Sequence, residues 1–166
     1  MMWNNTLNLT NHGLGPALLA VGVVISAAAV AQNAAPAVVA VTPAEMKWSS
    51  QGPLAAPGME QLNLVGDPAK PGPYTLRLKF PKGLKIAPHT HPDYREVTIL
   101  SGVFATGYGE KFDAANLKIL PAGSFYSEPA NVPHYIEIKE DVVLQVSGIG
   151  PSGRRLVNPP DSPKQH

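Results

Sequence analysis

Apolar and polar side chains alternate along the middle of the chain with a period of two. In residues 74–80 every second side chain is apolar, and in residues 134–139 His134 shares its face with Ile136 and Ile138. Such alternation is typical of β-strands with one buried face. The pattern therefore predicts strands that pack one side against a common core.

Glycine and proline cut this region into short segments, and no segment has the 3.6-residue periodicity of an amphipathic helix. We predict strands at residues 74–80, 95–101, 103–108, 117–120, 125–128, 134–139 and 142–149, with an extended segment at 84–91. Short strands separated by turns indicate an all-β fold, either a barrel or a double-sheet jelly roll.

The first 31 residues have the organisation of a secretory signal peptide. A polar start at residues 1–13 precedes a charge-free apolar run at 17–30, and the small residues 29–31 stand before Gln32. The start contains no Lys or Arg, so an uncleaved anchor is the alternative, although the run is shorter than the ~20 residues of a spanning helix. We expect a periplasmic or secreted protein that begins at Gln32, with no stable membrane span in its mature form.

The regions on either side of the predicted strands are rich in proline, which blocks long helices. We expect residues 32–72 to form an Ala/Pro-rich leader and an irregular arm, in which 46–48 and 59–65 are apolar enough to lie against a barrel or to form edge strands. Residues 151–166 are expected to be a Pro-rich tail that frays. The barrel itself is predicted over residues 73–150.

Composition limits the chemistry that the chain can perform. Its 166 residues suit one domain with a modest core, and 13 Lys and Arg against 12 Asp and Glu, without a basic block, argue against nucleic acid as a partner. The absence of cysteine excludes disulfides, thiolate zinc sites and a cysteine nucleophile. A metal site would have to use imidazole and carboxylate, which suits Mn, Fe, Co, Ni, Cu or Zn.

Three of the five histidines fall in two spaced motifs. These are Gly83-x5-His89-x-His91-x4-Glu96-x5-Gly102 and Gly123-x5-Pro129-x-Asn131-x2-His134. His89 and His91 are two residues apart, about 6.6 Å along a strand, so their side chains point to the same face. His134 lies on the apolar face of its strand. Because imidazoles inside an apolar barrel are costly unless paired or bound to a metal, the motifs indicate a metal site.

These residues resemble the two motifs of the cupin superfamily of small β-barrels, G-x5-H-x-H-x3-4-E-x6-G and G-x5-P-x-G-x2-H-x3-N. Asn131 replaces a glycine of the second motif and Ile138 its final asparagine. Asparagine tolerates positive φ, so Asn131 can make the same turn. The run from Glu96 to Gly102 is one residue short, which reverses strand parity unless a turn or bulge absorbs the change.

The resemblance implies a cupin-type double-stranded β-helix, or jelly-roll barrel. It further implies one divalent transition metal (Fe, Mn, Zn, Ni or Cu) held by His89, His91, Glu96 and His134. Alternation alone places Glu96 less clearly than the histidines, because it shares its face with Thr98 and Leu100.

With a redox metal, open coordination positions would permit dioxygenase chemistry on a small organic acid or phenolic compound, as in cupins similar to quercetin dioxygenase. Mn or Zn would act as a Lewis acid in a decarboxylase or isomerase. A module that binds or senses a metal or small ligand without turnover is the alternative. The resemblance is also compatible with a homodimer. Tyr94 and Arg95 lie between the predicted ligands, either at the mouth of the site or as solvated loop residues.

Two further candidates precede His134 on a short strand. Tyr126 and Glu128 alternate there with Phe125 and Ser127, and one of the two pairs should face inward. If Tyr126 and Glu128 face inward, they supply a phenol and a general base for catalysis. The opposite arrangement, with Phe125 packed inward and Glu128 exposed, is equally compatible with the alternation.

Overall fold

The computed structural model describes residues 38–52 and 56–158, so the predicted signal peptide lies outside the described residues. Ten strands follow in order: β1 Glu60–Val65, β2 Gly72–Phe80, β3 Lys85–Thr90, β4 Arg95–Ser101, β5 Val103–Tyr108, β6 Lys118–Pro121, β7 Phe125–Glu128, β8 His134–Ile138, β9 Val142–Gly150 and β10 Arg155–Leu156. Within the same ranges, helical structure is limited to two short 3-10 turns, Pro43–Glu45 and Ala114–Asn116. None of the described helices has the length and apolar character needed to cross a membrane.

The strands form two antiparallel sheets of five strands each, in the orders β1-β2-β9-β4-β7 and β10-β3-β8-β5-β6. Side chains from both sheets meet in one apolar core, with Leu76, Leu144 and Val146 from the first and Phe104 and Ile138 from the second. Every second residue of a strand reaches this core, as the alternation requires. The predicted all-β jelly-roll barrel is confirmed.

Strands are present on both sides of the predicted barrel range. β1 is the edge strand that residues 59–65 of the arm were expected to be able to form, whereas β10 lies in the tail that we expected to fray, so sheet pairing extends beyond residues 73–150. Both are edge strands. Ser49 pairs with Gln61 of β1 and thereby attaches the preceding residues to the same sheet edge.

The turn before β8 shows why an asparagine can replace a motif glycine. Asn131 has a φ of 60° and is the one non-glycine residue with positive φ in the part of the chain that the structure describes. Asparagine is among the few residues that adopt this conformation readily. Its backbone N–H donates to the carbonyl of His91 at 2.7 Å. The predicted turn is therefore present, and it joins the two motifs.

Candidate metal centre

The three motif histidines converge inside one end of the barrel. His89 is on β3, His91 follows that strand, and His134 begins β8, with exposed fractions of only 2%, 4% and 1%. The register places His89 directly opposite His134, and the two ring centroids are 4.3 Å apart. Each imidazole offers a ligand nitrogen, and these atoms all lie within 4.8 Å of one another. The three side chains can therefore surround one metal ion.

Backbone carbonyls fix the orientation of all three rings through Nδ1. The partners are Ala87 O at 2.8 Å from His89, Gly153 O at 2.5 Å from His91 and Val132 O at 3.3 Å from His134. A carbonyl only accepts hydrogen bonds, so Nδ1 carries the proton in each ring. The lone pair is then on Nε2, and this arrangement is the usual one for histidines that bind metals.

Burial keeps two of the imidazoles neutral. Loss of solvation lowers the pKa of His89 to about 4. Loss of solvation, reinforced by the charge of Arg95, lowers the pKa of His91 to about 2. A neutral imidazole presents its lone pair to a metal without first losing a proton, so both rings are ready to coordinate at neutral pH.

The carboxylate beside these histidines belongs to Glu128. Its Oε1 is 3.3 Å from Nε2 of His134, and its Oε2 is 3.7 Å from Nε2 of His91. Tyr126 also faces inward and donates its hydroxyl to Oε1 at 2.8 Å, whereas Phe125 is 59% exposed. Of the two arrangements that the alternation allowed, the structure has the one with Tyr126 and Glu128 inside.

Arg95 forms a buried ion pair with this carboxylate, its Nε lying 3.1 Å from Oε2 of Glu128. Burial alone would raise the pKa of Glu128, but the charge of Arg95, together with contact with His134, holds that pKa well below its usual range. Glu128 is therefore ionised. Burial and the same carboxylate raise the pKa of the Tyr126 hydroxyl well above its usual value, so Tyr126 remains a donor.

Glu96 does not join the histidines. On β4, Arg95, Val97 and Ile99 face the core, whereas Glu96 lies on the outer face and is exposed. The register shift of this strand against β9 falls between Ile99 and Ser101, after Glu96, and so cannot turn the Glu96 side chain inward. The irregularity that compensates for the shortened motif spacing comes after Glu96, so Glu96 keeps its outward direction. The carboxylate at the candidate centre is Glu128 and not Glu96.

Polar atoms at the centre have the unmet bonding capacity that a metal would satisfy. His134 Nε2 is buried and has no hydrogen-bond partner among the described residues, and Glu128 Oε2, also buried, has the Arg95 ion pair but no hydrogen bond. Because Nδ1 of His134 carries the proton, its Nε2 lone pair faces Oε1 of Glu128 at 3.3 Å, and two acceptors at this distance repel unless a cation lies between them. Three imidazoles with an adjacent carboxylate suit a divalent transition metal, so the residues fit the predicted cofactor.

A cavity of about 30 Å³ adjoins the histidines. Polar residues line one part of it, among them His89, His91 and Tyr126, and apolar residues such as Phe104 and Leu144 line the rest. This volume holds roughly two water molecules. A molecule that enters this space must therefore be small, or only one end of it can enter.

A second buried carboxylate, which the sequence analysis did not select, closes the same end of the barrel. Asp93 accepts hydrogen bonds from the Tyr74 hydroxyl at 2.6 Å and from the Ser152 hydroxyl at 2.7 Å. A Cβ atom at Gly148 would lie 2.6 Å from the Tyr74 oxygen, so glycine leaves room for this network. One sequence feature could have indicated this residue: Asp93 is two residues before Arg95, so in an extended chain the two side chains point to the same side.

Comparison with known proteins agrees with this geometry. A sequence profile described as the ChrR cupin-like domain matches residues 36–152. The chain belongs to this cupin family. The match covers all of the strands up to β9, with both histidine motifs. No curated protein was found that matches the cupin by sequence.

Solved structures share the fold of this cupin at low sequence identity. The polyketide cyclase RemF from Streptomyces resistomycificus is 15% identical with a TM-score of 0.62, over 76% of this chain and 90% of that chain. An RmlC-like cupin from Shewanella frigidimarina is 16% identical with a TM-score of 0.52, over 66% and 87%. A mutant salicylate 1,2-dioxygenase from Pseudoaminobacter salicylatoxidans, in complex with gentisate, is 15% identical with a TM-score of 0.51, over 64% and 31%.

Proposed function

We propose that this chain is an exported cupin that holds one divalent transition metal on His89, His91 and His134. We further propose that it acts as an oxygenase on a small organic acid or phenolic compound. The observation that carries the proposal is the convergence of three buried imidazoles, each oriented through Nδ1 by a backbone carbonyl. Three protein ligands leave coordination positions open, as catalytic metal sites require.

A redox-active metal such as Fe or Cu would supply reactivity toward O2. The protein side chains supply the acid and base chemistry around it. Glu128 is ionised and lines the cavity, so it is the candidate general base for a proton of the substrate. Tyr126 and Arg95 hold the two oxygens of this carboxylate in place. The apolar part of the wall lowers the local dielectric constant and so strengthens these charge interactions.

Two observations outside the centre support the finer parts of the proposal. The signal-like pattern of residues 1–31 supports export. The gentisate in the salicylate dioxygenase structure makes small aromatic acids the first substrates to test. That likeness is one of fold, so the choice of substrate rests on experiment.

A second candidate function is a module that binds or senses a metal or small ligand without turnover. The cavity volume of about 30 Å³ favours it, because most organic substrates would not fit entirely inside. The oxygenase and the binding module would use the same metal centre, but only the oxygenase would convert the bound compound into a product. A decarboxylase or isomerase would also use the centre, but without consuming O2.

Metal analysis of the purified chain beside His134→Ala tests the centre. We expect about one transition metal per chain in the parent and a large loss in the variant, since removal of one imidazole opens a buried three-ligand site. Glu96→Gln is the matched control, because Glu96 is exposed on the outer face, and it should keep the metal. Negligible metal in parent and variant alike would refute the proposal.

An oxygen electrode then separates the functions. The metal-loaded parent is supplied with gentisate and with other small organic acids and phenols. Consumption of O2 that depends on both substrate and metal supports the oxygenase. Full metal occupancy without O2 consumption or any change of the added compounds supports the binding module instead.

A further inference from the structure

Arg95 carries a buried donor group that the residues around it leave unused. Its exposed fraction is 3%, and the ion pair with Glu128 involves Nε. Nη1 of Arg95 is buried and has no hydrogen-bond partner in the ranges that the structure describes. A charged donor left unmatched in a protein interior is costly, and most such groups in native proteins have an acceptor. The position of Nη1 therefore calls for an acceptor that is not part of the described chain.

The cavity beside the histidines is where such an acceptor would lie. Arg95 lines this cavity, and so does Arg154 from the segment between β9 and β10. Glu128 is the one carboxylate among the lining residues. The other buried carboxylate at this end, Asp93, is held by Tyr74 and Ser152. Arg95 and Glu128 form a pair of opposite charges, so a divalent metal on the three histidines would make the charge beside this cavity positive.

We propose that Arg95 forms, next to the three histidines, a subsite for a small anion, in particular the carboxylate group of an organic acid. The anion accepts a hydrogen bond from Nη1 of Arg95 and lies within reach of the metal. A guanidinium suits a planar carboxylate because its N–H groups point in parallel directions. This inference rests on the proposed metal centre, and within the proposed substrates it selects acids over neutral phenols.

The size of the cavity limits which anions can enter. About 30 Å³ accommodates formate or azide, or the carboxylate end of a longer acid whose remainder lies outside. A neutral molecule of the same shape, such as formamide, carries no charge that the Arg95 guanidinium and the metal could attract. An anion subsite should therefore bind formate more tightly than formamide, whereas a cavity that only holds water should not distinguish the two.

The experiment uses the full chain loaded with Co²⁺, whose visible absorption changes when a ligand approaches it. Sodium formate, sodium azide and formamide are titrated into the parent and three variants, with metal content measured for each. We expect formate and azide to bind the parent, and Arg95→Gln to weaken both at least tenfold. Arg95→Lys should recover part of the affinity, because it keeps the charge without the fork of donors. Arg155→Gln, an exposed neighbour outside the cavity lining, should behave as the parent.

Two results would overturn the subsite. Formate that binds the parent and Arg95→Gln equally well would show that the metal alone holds it, and no formate binding to the parent would leave only water in the cavity. If Arg95→Gln does not fold, the double variant Arg95→Gln with Glu128→Gln replaces it, because removing both charges leaves neither one unpaired. The same loss of formate binding is expected from the double variant.

The metal proposal and the anion subsite can fail separately. If Co²⁺ does not bind, the metal centre is refuted, and the subsite is then tested on the metal-free chain through its thermal unfolding. A rise in Tm with formate, absent with formamide and lost in Arg95→Gln, would retain an anion site without a metal. A Tm that formate does not change would refute both.

Discussion

His89 and His134 are direct partners across the β3–β8 pair, and their ring centroids are 4.3 Å apart. Each belongs to a different motif of the sequence, and the strand register brings the two motifs together. The register between β3 and β8 is irregular from Ile86 to His89, a stretch that contains Pro88, which has no N–H for the ladder. A metal bound to both imidazoles would link the strands just where the ladder is weakest.

Chelation of the metal should therefore lower thermal stability. A ligand present at 100 times its Kd stabilises the folded state by about 2.7 kcal/mol, so we expect a clear decrease in Tm when EDTA is added to the metal-loaded parent. Calorimetry measures the difference. In His89→Ala the decrease should disappear, whereas Glu96→Gln should keep it. A parent whose Tm is the same with and without EDTA would contradict a metal that links β3 and β8.

Replacing Glu128 should separate stability from metal binding. Glu128→Gln leaves the buried Arg95 guanidinium without its ionic partner, and breaking such a pair costs about 3–5 kcal/mol. The three ligand nitrogens are untouched, so the metal should stay bound while turnover is lost. Urea unfolding and metal analysis measure the two effects. Glu96→Gln should change the free energy of unfolding by less than about 0.5 kcal/mol. Equal effects of the two substitutions would contradict the buried ion pair.

The metal-free protein should lose stability in mild acid. Burial lowers the pKa of His89 to about 4 and that of His91 to about 2, from a usual value of 6.5. Below pH 6.5 the unfolded chain binds protons that the folded chain does not, so the free energy of unfolding falls as the pH falls. Each histidine contributes about 1.4 kcal/mol per pH unit.

Urea titrations between pH 6.5 and 5 measure this slope, since ordinary carboxylates, with pKa values of about 4, remain largely ionised in that window. His91→Gln should reduce the slope by the contribution of one histidine. A free energy of unfolding that is constant across the window would show that both imidazoles are already protonated or solvated.

The φ of 60° at Asn131 predicts a selective response to substitution. Asn131→Gly should change stability little, because glycine adopts positive φ without steric cost. Asn131→Val should destabilise by about 1–2 kcal/mol, since a β-branched side chain is strained there. It should also weaken metal binding, because the Asn131 N–H holds the backbone of His91. If valine and glycine were tolerated equally, the turn would have another conformation.

Export is tested by the mass of the mature chain. The signal-like pattern predicts a protein that begins at Gln32 and is recovered from the periplasm or the medium. Intact-mass spectrometry of the protein from each cell fraction measures this. A chain that begins at Met1 in the membrane fraction would support the uncleaved anchor.

The strands and the histidine positions could be predicted from the sequence because both depend on local alternation. β5 and β7 occupy the predicted residues, and the inward face of His134 follows from Ile136 and Ile138. The carboxylate could not be placed in this way. The orientation of Glu128 depends on which face of β7 meets the core, and a four-residue strand with mixed side chains leaves that choice open.

Long-range pairing explains what the sequence could not show. Arg95 meets Glu128 because β4 and β7 are neighbours in the sheet, and Asp93 meets Ser152 because the segment after β9 folds over the barrel end. Neither contact leaves a periodic signal. The motif predicted Glu96 as a metal ligand. The register irregularity of β4 against β9 lies after Glu96, so it leaves the Glu96 side chain on the outer face.

The hydrogen bond from His91 to the carbonyl of Gly153 has a consequence for the order of assembly. Gly153 follows β9, so the ring of His91 is oriented only after nearly all of the sheet strands have been synthesised. A partly synthesised chain would contain all three imidazoles with one of them still free to rotate. A metal that needs all three imidazoles in their final orientation would therefore bind late, and we expect a chain shortened to the end of β9 to acquire metal poorly.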